Sequence, residues 1–276
     1  MTEGRDAASS AVGQDATEVG AIGDSWPAGP VRHGGILGVA DRFRDDDGSA
    51  DPAAAAALSA FAAGTGSEHA ALLALAAARL LVPVVAEDSG SAGPRAGTGA
   101  GEKSSDMALP TLVGRDGRRA LPVFTSLDAV ARWQPSARPV PADAALVWRA
   151  AAEDACAVVI DVAGPVPLAV EGARLIALAR GEPVPAPHED PDVQAAVGTV
   201  IAEALAGLPA PAAPATGALV GFALHPGVDG GDLLIELTVA PVIDAENLAA
   251  RVGSAALERL SPRLRRGVAL MLSEPG

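Results

Sequence analysis

Tyrosine is absent from this chain of 276 residues, and aromatics make up only 3% of it, although 49% of the residues are apolar. A core of this composition has to be built from Ala, Leu and Val, and each Phe or Trp stands out. Cysteine occurs once, which excludes an intramolecular disulfide and fits a reducing compartment. Basic residues are scarce: 20 Lys and Arg stand against 34 Asp and Glu, a net charge of −14. So acidic a chain repels phosphate backbones, which argues against nucleic acid as a partner. The cluster Arg263, Arg265 and Arg266 reads as a solvated helix end, where cations favour the dipole. A long hydrophobic run is also missing. The greasiest stretch, ALLALAAARLLVPVVA (71–86), contains Arg79 and Pro83 and is shorter than the roughly 20 residues of a membrane span. The opening MTEGRDAASS has neither the basic start nor the apolar centre of a secretory signal. These features point to a soluble cytoplasmic protein that does not engage a membrane.

What is present is alternating helix and strand. Residues 1–50 are rich in Gly, Ala, Ser and Asp and read as disordered or loosely attached. Asp51-Pro52 is a helix start, Asp as cap and Pro in the first turn. A second helix begins at Ser67, and LLVPVVAE follows as a buried strand. Residues 88–106 form a low-complexity loop. MALPTLV-GRDG-RRALPVFT has the form of a hairpin turning at Asp116-Gly117. Thr125 or Ser126 caps a helix through Trp133, and ADAALVWRAAAEDA, CAVVIDV and PLAVEGARLIALARG continue as helix, strand and strand–helix. EPVPAPHEDP (182–191) marks a boundary. Beyond it come a helix over 191–206, a hairpin around VDGG, a helix from Asp244 to Leu260, and a strand near GVALML. The expected fold class is α+β, with α/β as the neighbouring choice: mixed sheets of hairpins and single strands, covered by helices, in two units at 51–182 and 190–276.

Chemical motifs are thin. GTGAGEKS (97–104) has Glu102 where a phosphate loop needs its second Gly. DDDGS (45–49) has Phe43 and Ala54 at the first and twelfth positions of a calcium loop. GDSWPAG (23–29) has Pro27 in place of the last Gly of a nucleophile elbow. His33, His69, His188 and His225 are scattered, Cys156 lies in an apolar strand, and Glu153, Asp154 and Asp161 read as polar residues near a strand. No metal, cofactor or catalytic residue is expected. The stretch LPVFTSLDAVARW, followed by QPSARPVP, is the candidate site. Phe124, Thr125, Trp133 and Arg138 form either a recognition surface for another protein or a core corner around a well-capped helix.

The same stretch resembles the N-terminal domain of the SseB family, proteins named for enhanced serine sensitivity. The resembling residues are Gly114 to Gly117, Leu121-Pro122-Val123-Phe124-Thr125, Leu127, Trp133 and Arg138-Pro139-Val140-Pro141. FRDDDGSADP, ARLLVPVVAE and DVAGPVPLAVEGARLIAL are similar to its high-GC Gram-positive branch, over about 43–182. The resemblance implies an α/β or α+β fold and brings no established reaction or cofactor. The leading expectation is a non-enzymatic cytoplasmic adaptor with a protein partner. An amino-acid-like ligand held between the two units is the alternative, and an enzyme with an unrecognised site the third. The oligomeric state stays open.

Overall fold

The computed structural model describes residues 42–87, 106–114, 117–165, 167–208, 219–240 and 244–273. Most of the segment expected to be loose, and nearly all of the low-complexity loop, lie outside the described residues. Residues 42–50 are described and are anchored. The Asp46 carboxylate pairs with Arg79 at 2.7 Å, and the Gly48 carbonyl accepts the Leu127 N–H at 2.9 Å.

Caps set where the helices begin. α1 (Pro52–Ala62) starts under the Asp51 carboxylate, which accepts from the N–H groups of Ala53 and Ala54. α2 (Glu68–Leu75) starts at Ser67, whose hydroxyl accepts from Ala70. Strands β1 (Arg79–Glu87), β2 (Asp106–Ala108), β3 (Leu112–Val113) and β4 (Arg119–Val123) follow. The β3–β4 hairpin turns through Gly117 at φ +80°, a conformation that favours glycine. Then come α3 (Leu127–Trp133), β5 (Arg138–Asp143), α4 (Ala144–Glu153), β6 (Ala157–Ile160), β7 (Leu168–Val170) and α5 (Gly172–Arg180). Gly181 ends α5 in the left-handed conformation. The last five elements are α6 (Pro191–Ala206), β8 (Leu219–Pro226), β9 (Leu233–Val239), α7 (Ala245–Leu260) and β10 (Val268–Ser273). The fold is α+β, as expected.

Two sheets meet at one pair of residues. β1 pairs antiparallel with β5 on one side and with β2 on the other, and a second sheet runs β3-β4-β6-β7. Within it β4 and β6 are parallel, an arrangement the hairpin pattern alone did not suggest. Leu81 and Phe124 exchange both backbone hydrogen bonds, at 2.7 and 2.9 Å, and this bridge splices the two sheets. One face of the combined layer carries Leu80, Val82, Val84, Leu121, Val123, Val158 and Ile160. It packs on α1, α2, α4 and α5 through Phe61, Leu72, Leu75, Trp148 and Leu175. Each such large apolar side chain contributes about 1.5–3 kcal/mol on burial. The other face is covered by α3, through Leu81, Phe124, Ala129 and Val130.

The C-terminal layer is a three-stranded sheet in the order β10-β9-β8. The hairpin β8–β9 is antiparallel, while β10 returns across α7 to lie parallel to β9. β9 alternates strictly. Leu233, Ile235, Leu237 and Val239 point into a core formed with α6 and α7. The free edges differ among the described strands. β5 carries Pro139 and Pro141, which remove donors from an edge; β7 and β3 are short; β8 is irregular between Leu219 and Gly221. β10 keeps an unbroken six-residue register with none of these features.

Candidate binding site

Parallel β4 and β6 end side by side, Val123 opposite Ile160. The next residues of each strand build the corner. Asp161 donates its N–H to the Val123 carbonyl at 2.9 Å and has φ +49°, an unfavourable value for a residue with a Cβ. Its carboxylate is fully used: Oδ1 accepts the Thr125 N–H at 2.9 Å and Oδ2 the Thr125 hydroxyl at 2.7 Å. Ser126 alone caps α3, its hydroxyl accepting from Ala129. The expectation that Thr125 shares that role is corrected, because its hydroxyl turns to Asp161. A cavity of about 190 Å³ lies between α1 and this clasp, lined by Leu58, Ser59, Thr125, Arg132 and Asp161 among others. It is smaller than the ~300 Å³ at which ordinary ligand pockets begin. Thr125→Val is expected to lower stability by about 1.5–3 kcal/mol, the range for a hydrogen bond to a charged acceptor, while Thr125→Ser retains most of it. Urea unfolding of the two variants checks this.

Phe124 is fully buried, and its ring lies tilted against Trp133, centroids 5.2 Å apart at 35°. Trp133 is half-buried and Thr125 is 7% exposed. Phe124 and Trp133 come together, while the Thr125 side chain turns to Asp161. Arg138 does not join them. It is exposed, and its register opposite Val84 assigns it to the other face of the sheet. The arginine at the corner is Arg132, one turn along α3 from Asp128.

The remaining motifs disperse. GTGAGEKS and GDSWPAG lie outside the described residues. In DDDGS, Asp46 and Asp47 accept from the N–H groups of Gly48 and Ser49 and act as turn residues; the bond from Ser49 holds the Asp47 carboxyl below its ordinary range. Burial pushes the Cys156 thiol up. His225 pairs with Glu236 at 2.8 Å, which lowers that carboxyl. Among the described residues, no three of His, Cys, Asp and Glu converge as metal ligands.

One cluster escaped the sequence reading. Arg263, expected in solvent, is part-buried and binds Glu68 at 3.1 Å and Asp190 at 2.6 Å. Arg174 closes a ring, 2.6 Å from Glu68 and 3.8 Å from Asp190. Glu68, Arg174 and Asp190 are 4%, 4% and 0% exposed, so two carboxylates and two guanidiniums neutralise each other out of water. Burial pushes Arg174 below its ordinary value against the pull of Glu68. At Arg263 the same burial is outweighed by Glu68 and Asp190, and the value rises. Arg265 lies over the Phe61 ring at 5.1 Å and donates to the Ala62 carbonyl, and Arg266 pairs with buried Asp232. The region between 51–182 and 190–276, where a ligand was the alternative expectation, therefore holds an ionic ring. Only Asp190, placed before Pro191 as a helix cap, carried a readable signal; nothing in the sequence pairs residues 68, 174, 190 and 263.

Together these features define an α+β protein in which a spliced mixed sheet is joined through buried ions to a smaller sheet-and-helix layer. Residues 55–177 match the family model described as the SseB protein N-terminal domain, which places this stretch of the chain with that domain family. No curated protein and no solved structure matches the chain. Among the described residues, no helix is long and apolar enough to cross a membrane.

Proposed function

We propose that this protein is a non-catalytic, cytoplasmic binding module that engages a protein partner through α3. The observation that carries the reading is the state of Trp133. Phe124 and Trp148 are sealed in the core, whereas Trp133 is only half-buried and is backed by Phe124. Leu127, on the same helix, is 43% exposed, and Ala131 and Arg132 are exposed beside it. A rigidly backed Trp with a neighbouring Leu and Arg is the composition of an interface anchor. The clasp of Thr125 on Asp161 and the bond from Leu127 to Gly48 fix the helix at its start, so little ordering cost falls on association. The charge of −14 favours a partner with a basic surface.

A photo-crosslinking residue at Ala131, introduced in cells, tests the proposal. A discrete ultraviolet-dependent protein adduct is expected, reduced at least about tenfold by Trp133→Ala, which removes an interface anchor of at least 1–2 kcal/mol. No adduct, or one indifferent to both Trp133→Ala and Leu127→Asp, would overturn it.

A further inference from the structure

We propose that β10 is a pairing edge for a second copy of this chain, with two β10 strands meeting antiparallel about a two-fold axis perpendicular to the sheet. The argument begins with what the edge lacks. Val268–Ser273 reads VALMLS: no charge, no proline and no break in register against β9. The edge strand β5 is blunted by two prolines. Among the described residues, β10 has β9 on one side and no strand on the other. An unprotected edge of this length is a template for strand addition.

The side chains argue for self-pairing. The register against β9 places Leu270 and Leu272 on the core face with Ile235 and Leu237, and Met271 on the open face with Glu236. Met271 and Leu272 are each 43% exposed. In an antiparallel pair centred on Leu270, Val268 meets Leu272, Ala269 meets Met271, and Leu270 meets its own copy. Every opposed pair is apolar. Those pairs also keep the core face of one copy beside the core face of the other.

The helix above the edge is prepared in the same way. On α7, the flank toward α6 carries Arg251 and Arg259, the latter paired with Glu203. The stripe around Gly253 carries Ala249 and Leu257 and is uncharged along its centre, its one charge being Glu246 in the first turn. A Cβ on Gly253 would come within 3.0 Å of Leu270 Cδ1, so this glycine packs on the residue at the centre of the proposed pairing, and Leu257 is 48% exposed. Two α7 helices can approach there across small residues. For a chain of net charge −14, contact between two copies is electrostatically least costly where the surface is neutral, and the strand with the centre of the flank, beyond Glu246, supplies such a surface. The resulting sheet would run through six strands, β8-β9-β10 and their mates.

Light scattering coupled to gel filtration, together with sedimentation equilibrium, tests this on the full chain from roughly 1 to 100 µM. Twice the chain mass is expected for the native protein, with a melting temperature that rises with concentration. The Met271→Lys, Leu272→Lys double variant and, independently, Leu257→Glu on the helix are expected to run at the mass of one chain. Unchanged far-ultraviolet circular dichroism and a concentration-independent melting temperature mark them as folded monomers. A native chain that stays at single mass at the highest concentration overturns the proposal, whatever protein it captures. So does a dimer that persists in both variants.

Discussion

Asp190→Ala is expected to lower the stability of the folded chain by about 3–5 kcal/mol at neutral pH, the loss typical when one member of a buried ion pair is deleted. The carboxylate is fully buried and does three things. It receives Arg263 at 2.6 Å, lies 3.8 Å from Arg174, and accepts the Asp192 N–H at 2.8 Å at the start of α6. Without it two guanidiniums share Glu68 alone, and Arg174, 4% exposed, has no route to water. The exposed pair Arg42–Asp143 provides the contrast: its side chains are 70% and 34% exposed, and its removal is expected to cost under about 1 kcal/mol. Deleting one charge of each sign, as in Glu68→Leu with Arg263→Met, is expected to cost less than either deletion alone, because the remaining pair stays neutral. Urea unfolding midpoints of the single and double variants decide the matter. A shift under about 1 kcal/mol for Asp190→Ala would mean that water reaches the ring.

Phe124→Ala is expected to cost a similar amount, about 3–5 kcal/mol, for a different reason. No charge is stranded; a cavity opens where two sheets and α3 meet. The ring fills the space between Leu81, Ala129, Val130 and Trp133. Its removal also withdraws the backing that holds Trp133. The backbone bonds between Leu81 and Phe124 do not need the side chain, so the splice is expected to persist while its protection falls. Hydrogen exchange at these two amides should accelerate by about two to three orders of magnitude, with Phe124→Leu intermediate. Unaltered exchange would place the ring outside the cooperative core.

Local chemistry was readable because it depends on neighbours in the chain. Asp51 before Pro52, Ser67, Ser126 and Asp244 each mark a helix that begins where its cap stands. The alternation of LLIELTV gives one buried face. The corner at Phe124 was readable as a corner but not as a junction, since its bridge runs to Leu81, far back in the chain. Thr125 and Ser126 look alike in sequence, and their division of labour depends on Asp161, 36 residues after Thr125. Arg263 is the clearest limit. Next to Arg265 and Arg266 it has the look of a solvated helix end, and its partner Glu68 lies 195 residues away. Pairing across such distances is set by how layers dock, which no local pattern encodes.

One small contact bears on how this protein could be inherited in pieces. The first turn of α5 is completed from outside: Asp192, in α6, accepts the Ala173 N–H at 2.8 Å, and Asp190 faces Arg174 one residue further on. The stretch that sequence comparison recognises closes at residue 177, before both carboxylates. The stretch that matches the family model and the set of residues that completes α5 and the ionic ring therefore end at different places. A recombination event, natural or engineered, that exchanged the family block alone would separate a helix from its cap and each of two arginines from one of its two carboxylates. Only exchanges carrying residues 190–192 and Arg263 along with it would conserve the joint.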